Sequence, residues 1–175
     1  VTANVVDTNS YFNAPTSGSL IVDKATPSIT SNPSASGITY GQTLADSTLS
    51  GGSGSVAGSF AFTTPSTAPN AGTANQGITF TPSDTANYNT KTGTVSVVVA
   101  KATPSIVSAP TASEITAGQT LADSTLTGGS GSVAGSFAFT YPSTTPSVGT
   151  ANQSVTFTPT DSANYNTKTG TVSVT

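Results

Sequence analysis

The sequence predicts an all-β chain built as tandem antiparallel β-sandwich domains in an elongated array. Three observations predict it. First, the chain repeats at a fixed offset of 77: residues 24–98 align on residues 101–175 without a gap, and 60 of the 75 positions are identical, so one folding unit is present twice. Second, apolar residues alternate in several windows, the pattern of half-buried strands. Gly (17) and Pro (11) punctuate too often for long helices. Third, a period of 77 residues holding six or seven short strands suits a sandwich, whereas β-solenoid repeats run to roughly 20–30 residues.

The period sets the expected boundaries. Residues 24–100 form one repeat and residues 101–175 a second, in nearly identical conformations. Residues 1–23, shifted by 77, fall on residues 78–100, with Asp7 on Asp84, Tyr11 on Tyr88 and Leu20-Ile21-Val22 on Val97-Val98-Val99. They are expected to be the C-terminal part of a preceding, more divergent repeat, with strands at Val1–Val6 and Ser19–Asp23, and the chain a segment of a longer repetitive protein.

Within the first repeat, Ala25–Thr30 reads as an edge strand, because Pro27 cannot donate to a ladder. Ile38–Leu44 alternates and reads as a strand, with a bulge or corner near Ala45–Ser47 because Leu44 and Leu49 are out of phase. Gly51–Ser55 reads as a turn. Ser59–Thr63 alternates with Phe60 and Phe62 on one face, Pro65–Gly72 is a loop, and Gln76–Thr81 is a strand with Ile78 and Phe80 inward. Ser83–Thr92 is a longer loop. Gly93–Val99 closes the repeat with Val95, Val97 and Val99 inward, and Val98, which becomes Thr175 in the second copy, outward. The run Val97-Val98-Val99-Ala100-Lys101-Ala102-Thr103-Pro104 joins the repeats without a Gly/Ser linker, so a stiff rod is expected.

Composition narrows the function. Only 6% of residues are charged, against about 25% in ordinary domains, while 27 Ser and 35 Thr make the surface neutral and hydroxyl-rich. The net charge of −3, with Lys24, Lys91, Lys101 and Lys168 as the basic residues, excludes a nucleic-acid footprint and a polybasic membrane surface. There is no Cys, hence no disulfide framework, and no apolar run long enough for a transmembrane helix, so no membrane insertion is expected in this segment.

The order KATPSI, ITYGQTL, LSGGSGSVAGSFAFTTPSTAP, ANQGITFTPSDTANYN and GTVSVVVAKATP, covering residues 24–175, resembles the tandem immunoglobulin-like repeats of very large bacterial surface proteins, among them adhesins and cell-surface filaments. The resemblance is to a style of repeat and not to a ligand. It implies export, an extracellular location on the bacterial cell surface, and a spacer or adhesive role.

Candidate chemistry is sparse. With no His or Cys, a Ser or Thr nucleophile would need Lys or a carboxylate as its base, and no catalytic residues and no cofactor are assigned. The metal-ligand candidates are Asp84 and Asp161, each in an Asp-x-Ala-Asn-Tyr-Asn run; Ca²⁺ wants six to eight oxygens, and capping of the loop by bonds to backbone N–H groups is the favoured role. Tyr88 and Tyr165 are expected to plug the end of the sandwich near the next domain. Lys24 and Lys101, at the start of each repeat, could only cross-link to an Asn that the last strands lack, so a solvated junction lysine is expected. Tyr40 becomes Ala117 and Thr64 becomes Tyr141, so exposed aromatics do not mark a shared site.

The expected function is therefore a non-enzymatic stalk, spacer or filament segment of an extracellular bacterial surface protein, whose partners are the neighbouring repeats of its own chain. The alternatives are a self-assembling fibre subunit, in which strand edges or residues 1–23 engage other copies, and an adhesive module for glycan or a host protein, with that ligand held by regions outside this segment.

Overall fold

The computed structural model describes residues 20–175; the strand expected at Val1–Val6 lies outside them. Of the strand expected at Ser19–Asp23, residues 20–23 are described and form none: Leu20, Ile21 and Val22 are exposed and pair with no neighbouring strand. An isolated pair of strands gains too little burial to offset its ordering entropy.

Among the described residues the secondary structure is β, with single 3-10 turns at Leu44–Asp46 and Leu121–Asp123. The first repeat contains β1 (Ile29–Ser31), β2 (Ser34–Ala35), β3 (Ile38–Thr39), β4 (Leu49–Ser50), β5 (Ser53–Gly54), β6 (Gly58–Phe62), β7 (Gly72–Pro82) and β8 (Lys91–Ala100). The second contains β9 (Ile106–Ser108), β10 (Thr111–Ala112), β11 (Leu126–Thr127), β12 (Ser130–Gly131), β13 (Gly135–Phe139), β14 (Ala151–Pro159) and β15 (Lys168–Val174). The principal sheet of the first repeat runs β3-β8-β7-β6, with β3 parallel to β8 and the other pairs antiparallel; β1 pairs with β5 and β2 with β4. In the second repeat β13-β14-β15, β9-β12 and β10-β11 reproduce these pairings, and the residues equivalent to β3 reach the last strand's end through the Ile115 N–H, which donates to the Thr175 carbonyl at 3.1 Å.

The cores follow the alternation. On β7 and β8 the inward set Ile78, Val95, Val97 and Val99 is buried and packs with Ile38 and Leu44, flanked by Ala35 from β2 and Leu49 from β4. Val98 points out and is exposed. Leu121, Val155, Val172 and Val174 repeat this core in the second half. Phe80 lies under the Gly-rich segment: a Cβ added at Gly54 or Gly58 would stand 2.4 or 2.5 Å from its ring. Gly is thus required there by close approach.

Three expectations change. Of the edge strand expected at Ala25–Thr30 only its end is strand, in β1, while Ala25 makes an isolated bridge to Tyr88. Ile38–Leu44 is not one strand: Gly41 takes φ +94°, a left-handed turn open to Gly, and Leu44 drops into the core on the 3-10 turn. Thr43 and Asp46 hold that turn, the Asp46 carboxylate accepting from the Thr43 N–H at 2.8 Å and from its hydroxyl at 3.1 Å. Gly51–Ser55 is not only a turn: β5 within it pairs with β1, assisted by the Ser31 and Ser53 hydroxyls at 2.8 Å.

Candidate functional site: the junction between the repeats

The loop after β7 in the first repeat, and after β14 in the second, forms a tight corner tied to the start of its own repeat. In the first, the Asp84 carboxylate accepts the Asn87 N–H at 3.1 Å and the Asn87 side-chain amide at 2.8 Å. Ala25 donates to the Asn87 carbonyl at 2.9 Å, Asn89 donates to the Ala25 carbonyl at 2.8 Å, and the Lys24 ammonium donates to the Thr85 carbonyl at 2.7 Å. The second corner has the same bonds: Asn164 N–H and side-chain amide to Asp161 at 3.2 and 2.9 Å, Ala102 to the Asn164 carbonyl at 3.0 Å, and Lys101 to the Ser162 carbonyl at 2.7 Å.

Several candidates find their place here. Asp84 and Asp161 cap their corners, and among the described residues no three His, Cys, Asp or Glu side chains gather as a metal site. The Asn87 side-chain amide, and then its backbone N–H, hold the Asp84 carboxyl below the usual aspartate value, with Ala86 N–H and Lys24 adding to the effect against a small opposing cost of burial. Lys24 and Lys101 are exposed but are not merely solvated, since each satisfies a corner carbonyl.

The two corners differ in what lies outside them. Asn87 is exposed, whereas Asn164 is 8% exposed, because its Oδ1 accepts the N–H of Ala71, in the first repeat, at 2.8 Å. Beside it, Tyr165 packs edge-on against Tyr40 of the first repeat, ring centroids 5.3 Å apart at 80°. Tyr165 thus meets the repeat that precedes its own.

Local backbone bonding explains why these rings meet. Thr39 pairs with Ala100 at the end of β8, and the Tyr40 N–H donates to the Ala100 carbonyl at 2.8 Å. Ala102 forms a parallel bridge with Tyr165. The backbone of each tyrosine is therefore pinned to one end of the connecting segment Ala100-Lys101-Ala102, and the two rings meet edge-on. Edge-to-face aromatic pairs contribute about 0.5–1.5 kcal/mol beyond their buried area, and a hydrogen bond about 0.5–1.5 kcal/mol net. The combined effect opposes bending at a joint that already has no flexible linker.

The sequence pointed to Tyr165 but missed Asn164, Ala71 and Tyr40. The available signal was the Asn shared by both Asp-x-Ala-Asn-Tyr-Asn runs; the absence of Tyr40 from the second copy concealed its role. Elsewhere, a concavity of about 710 Å³ is lined by Gly51–Ser59 with Leu49, Phe60 and Phe80 and offers no titratable side chain. Tyr141 is 66% exposed, and its counterpart in the first repeat is Thr64. Neither a protein-family model nor a curated protein matches the chain.

Proposed function

We propose that this chain is a non-enzymatic structural segment, a stalk, spacer or filament, of a large extracellular bacterial surface protein. In this reading residues 24–100 and 101–175 are tandem immunoglobulin-like β-sandwich domains, and residues 1–23 are the end of a preceding divergent one. The observation that carries it is the clamped joint: Tyr40 and Tyr165, each tied by its backbone to the connecting segment, pack edge-on while Asn164 takes the Ala71 N–H. A joint without slack, reinforced on its flank, converts a row of small domains into a stiff spacer. The uncharged hydroxyl-rich surface and the lack of His and Cys support a mechanical role over a catalytic one.

The test is rotational. Backbone ¹⁵N relaxation on the full chain should give one anisotropic tumbling tensor for both repeats, and small-angle scattering should fit a single extended shape. Two independent correlation times would overturn the spacer reading.

A further inference from the structure

We infer that a recess within the second repeat binds a small amphiphilic monocarboxylate, its apolar tail against Ile106 and Phe137 and its head at the Lys168 ammonium. The recess is lined by residues of that repeat alone, so the inference goes beyond the spacer reading and is independent of the joint.

Strand register makes the recess. Val155 pairs with Gly170 and Phe157 with Lys168, so these four positions share the inward face of β14 and β15. Gly170 brings no side chain to that face. The resulting cavity, of about 350 Å³, has Val155 and Pro110 as its buried floor, Ile106 and Phe137 as half-buried walls, and Lys168 exposed at its rim. Its size falls within the roughly 300–1,000 Å³ of small-molecule sites, and an apolar lining with a few polar groups is their usual chemistry.

The first repeat shows what closes such a space. Its counterpart of Ala109, which also lines the recess, is Asn32, and its counterpart of Val155 is Ile78. A Cβ added at Gly93 would stand 3.7 Å from Ile78 Cγ1 and 3.8 Å from the Asn32 Oδ1, so the Asn32 amide reaches over the glycine gap. At Gly170 the same Cβ would meet only Ile106 Cδ1 and Val155 Cγ2 within 4 Å among the described residues. Two substitutions between the copies thus remove a polar cover and one methylene group, and the apolar walls are left against water. An apolar tail displaces that water favourably.

Lys168 selects the head group. Its register opposite Phe157 directs it to the inward face, at the mouth of the recess. An ammonium is a single compact charge, which one carboxylate matches; a dianion keeps an unmatched charge there, and a cation is repelled.

Titration of the full chain with hexanoate, followed by ¹H–¹⁵N correlation spectra, tests this. The amide signals of Ile106, Val155 and Gly170 should shift saturably, while those of Ile29, Ile78 and Gly93 in the first repeat stay in place as an internal control. Hexanol should bind about 1.5- to 5-fold more weakly than hexanoate, the worth of one exposed ion pair, and hexylamine more weakly still. Lys168→Gln should lower hexanoate affinity by that same factor and leave hexanol unchanged. Ala109→Asn, which installs the residue of the first repeat, should abolish the shifts with the circular dichroism unchanged. No saturable shift, equal shifts in both repeats, shifts that survive Ala109→Asn, or hexylamine binding as tightly as hexanoate would each overturn the inference. Movement of the same signals with protein concentration in the absence of hexanoate would also overturn it, and would give the recess to another copy of this chain.

Discussion

Asn164 and Asn87 form a natural control pair, and the comparison Asn164→Ala against Asn87→Ala isolates the joint. Both side chains donate to an aspartate in their own corner at nearly the same distance, 2.9 Å to Asp161 and 2.8 Å to Asp84. Asn164 alone also accepts the Ala71 N–H, at 2.8 Å, across the joint. Truncating either residue removes the corner contact; truncating Asn164 additionally strands the Ala71 N–H. A fully buried donor left unpaired costs about 1–3 kcal/mol, but Ala71 is half-buried and water can reach it, so the excess falls near the net worth of one bond, about 0.5–1.5 kcal/mol. Urea denaturation followed by far-ultraviolet circular dichroism should show Asn164→Ala destabilising more than Asn87→Ala by that margin. Amide exchange at Ala71 should accelerate by roughly 2- to 12-fold in Asn164→Ala and not at all in Asn87→Ala. Equal losses in the two variants, with Ala71 exchange unchanged, would refute a contribution of this bond to the joint.

Other outcomes follow from the same geometry. Leu121→Ala, at a side chain 1% exposed, should cost about 2–5 kcal/mol in the second repeat, measured by the same denaturation. Gly58→Ala should cost about 1–3 kcal/mol, because the new Cβ would stand 2.5 Å from both the Phe80 ring and the Thr81 carbonyl, and the carbonyl cannot rotate away. The Asp84 carboxyl is held below its ordinary value, so its contribution is complete above about pH 3.9 and is lost as pH falls through the lower folded value; an acid melting series should show this component in the native chain and not in Asp84→Asn. EDTA should leave the melting midpoint unchanged, since Asn87 and Asn164 already engage the Asp84 and Asp161 carboxylates; a fall of many degrees would make those residues ligands.

The legible parts of the fold were those whose burial follows from local alternation. Val95, Val97 and Val99 lie inward and Val98 outward because β8 is regular along its length and one face meets the core. The short strands were not legible. Ser53-Gly54 carries no apolar signal, and its pairing with β1 depends on the Phe80 ring filling the space a Cβ would take, a contact made far along the chain. Leu44 looked like the end of a strand because its phase agreed, but the left-handed turn at Gly41 intervenes. The joint was least legible of all. Asn164 meets a residue 93 positions away, and its twin Asn87 has the same sequence surroundings and the opposite exposure.

The differences between the two copies are distributed in a way that bears on assembly. The corner from residue 84 to residue 89 differs from its counterpart only by Thr85 for Ser162, a change that keeps the hydroxyl. The receiving face differs where it matters most: Tyr40 against Ala117, Asn70 against Ser147, and Ala71 against Val148. The bonds that shape the corner, from Asp84, Lys24 and Ala25, all lie within its own repeat. The face with Tyr40 adds a ring-on-ring contact; its counterpart Ala117 has no ring to offer. Tyr40→Ala, which installs the residue of the second copy, should therefore weaken the Tyr40–Tyr165 joint by about 0.5–1.5 kcal/mol beyond the lost burial, measured by urea denaturation against Tyr141→Ala, an exposed tyrosine outside the joint.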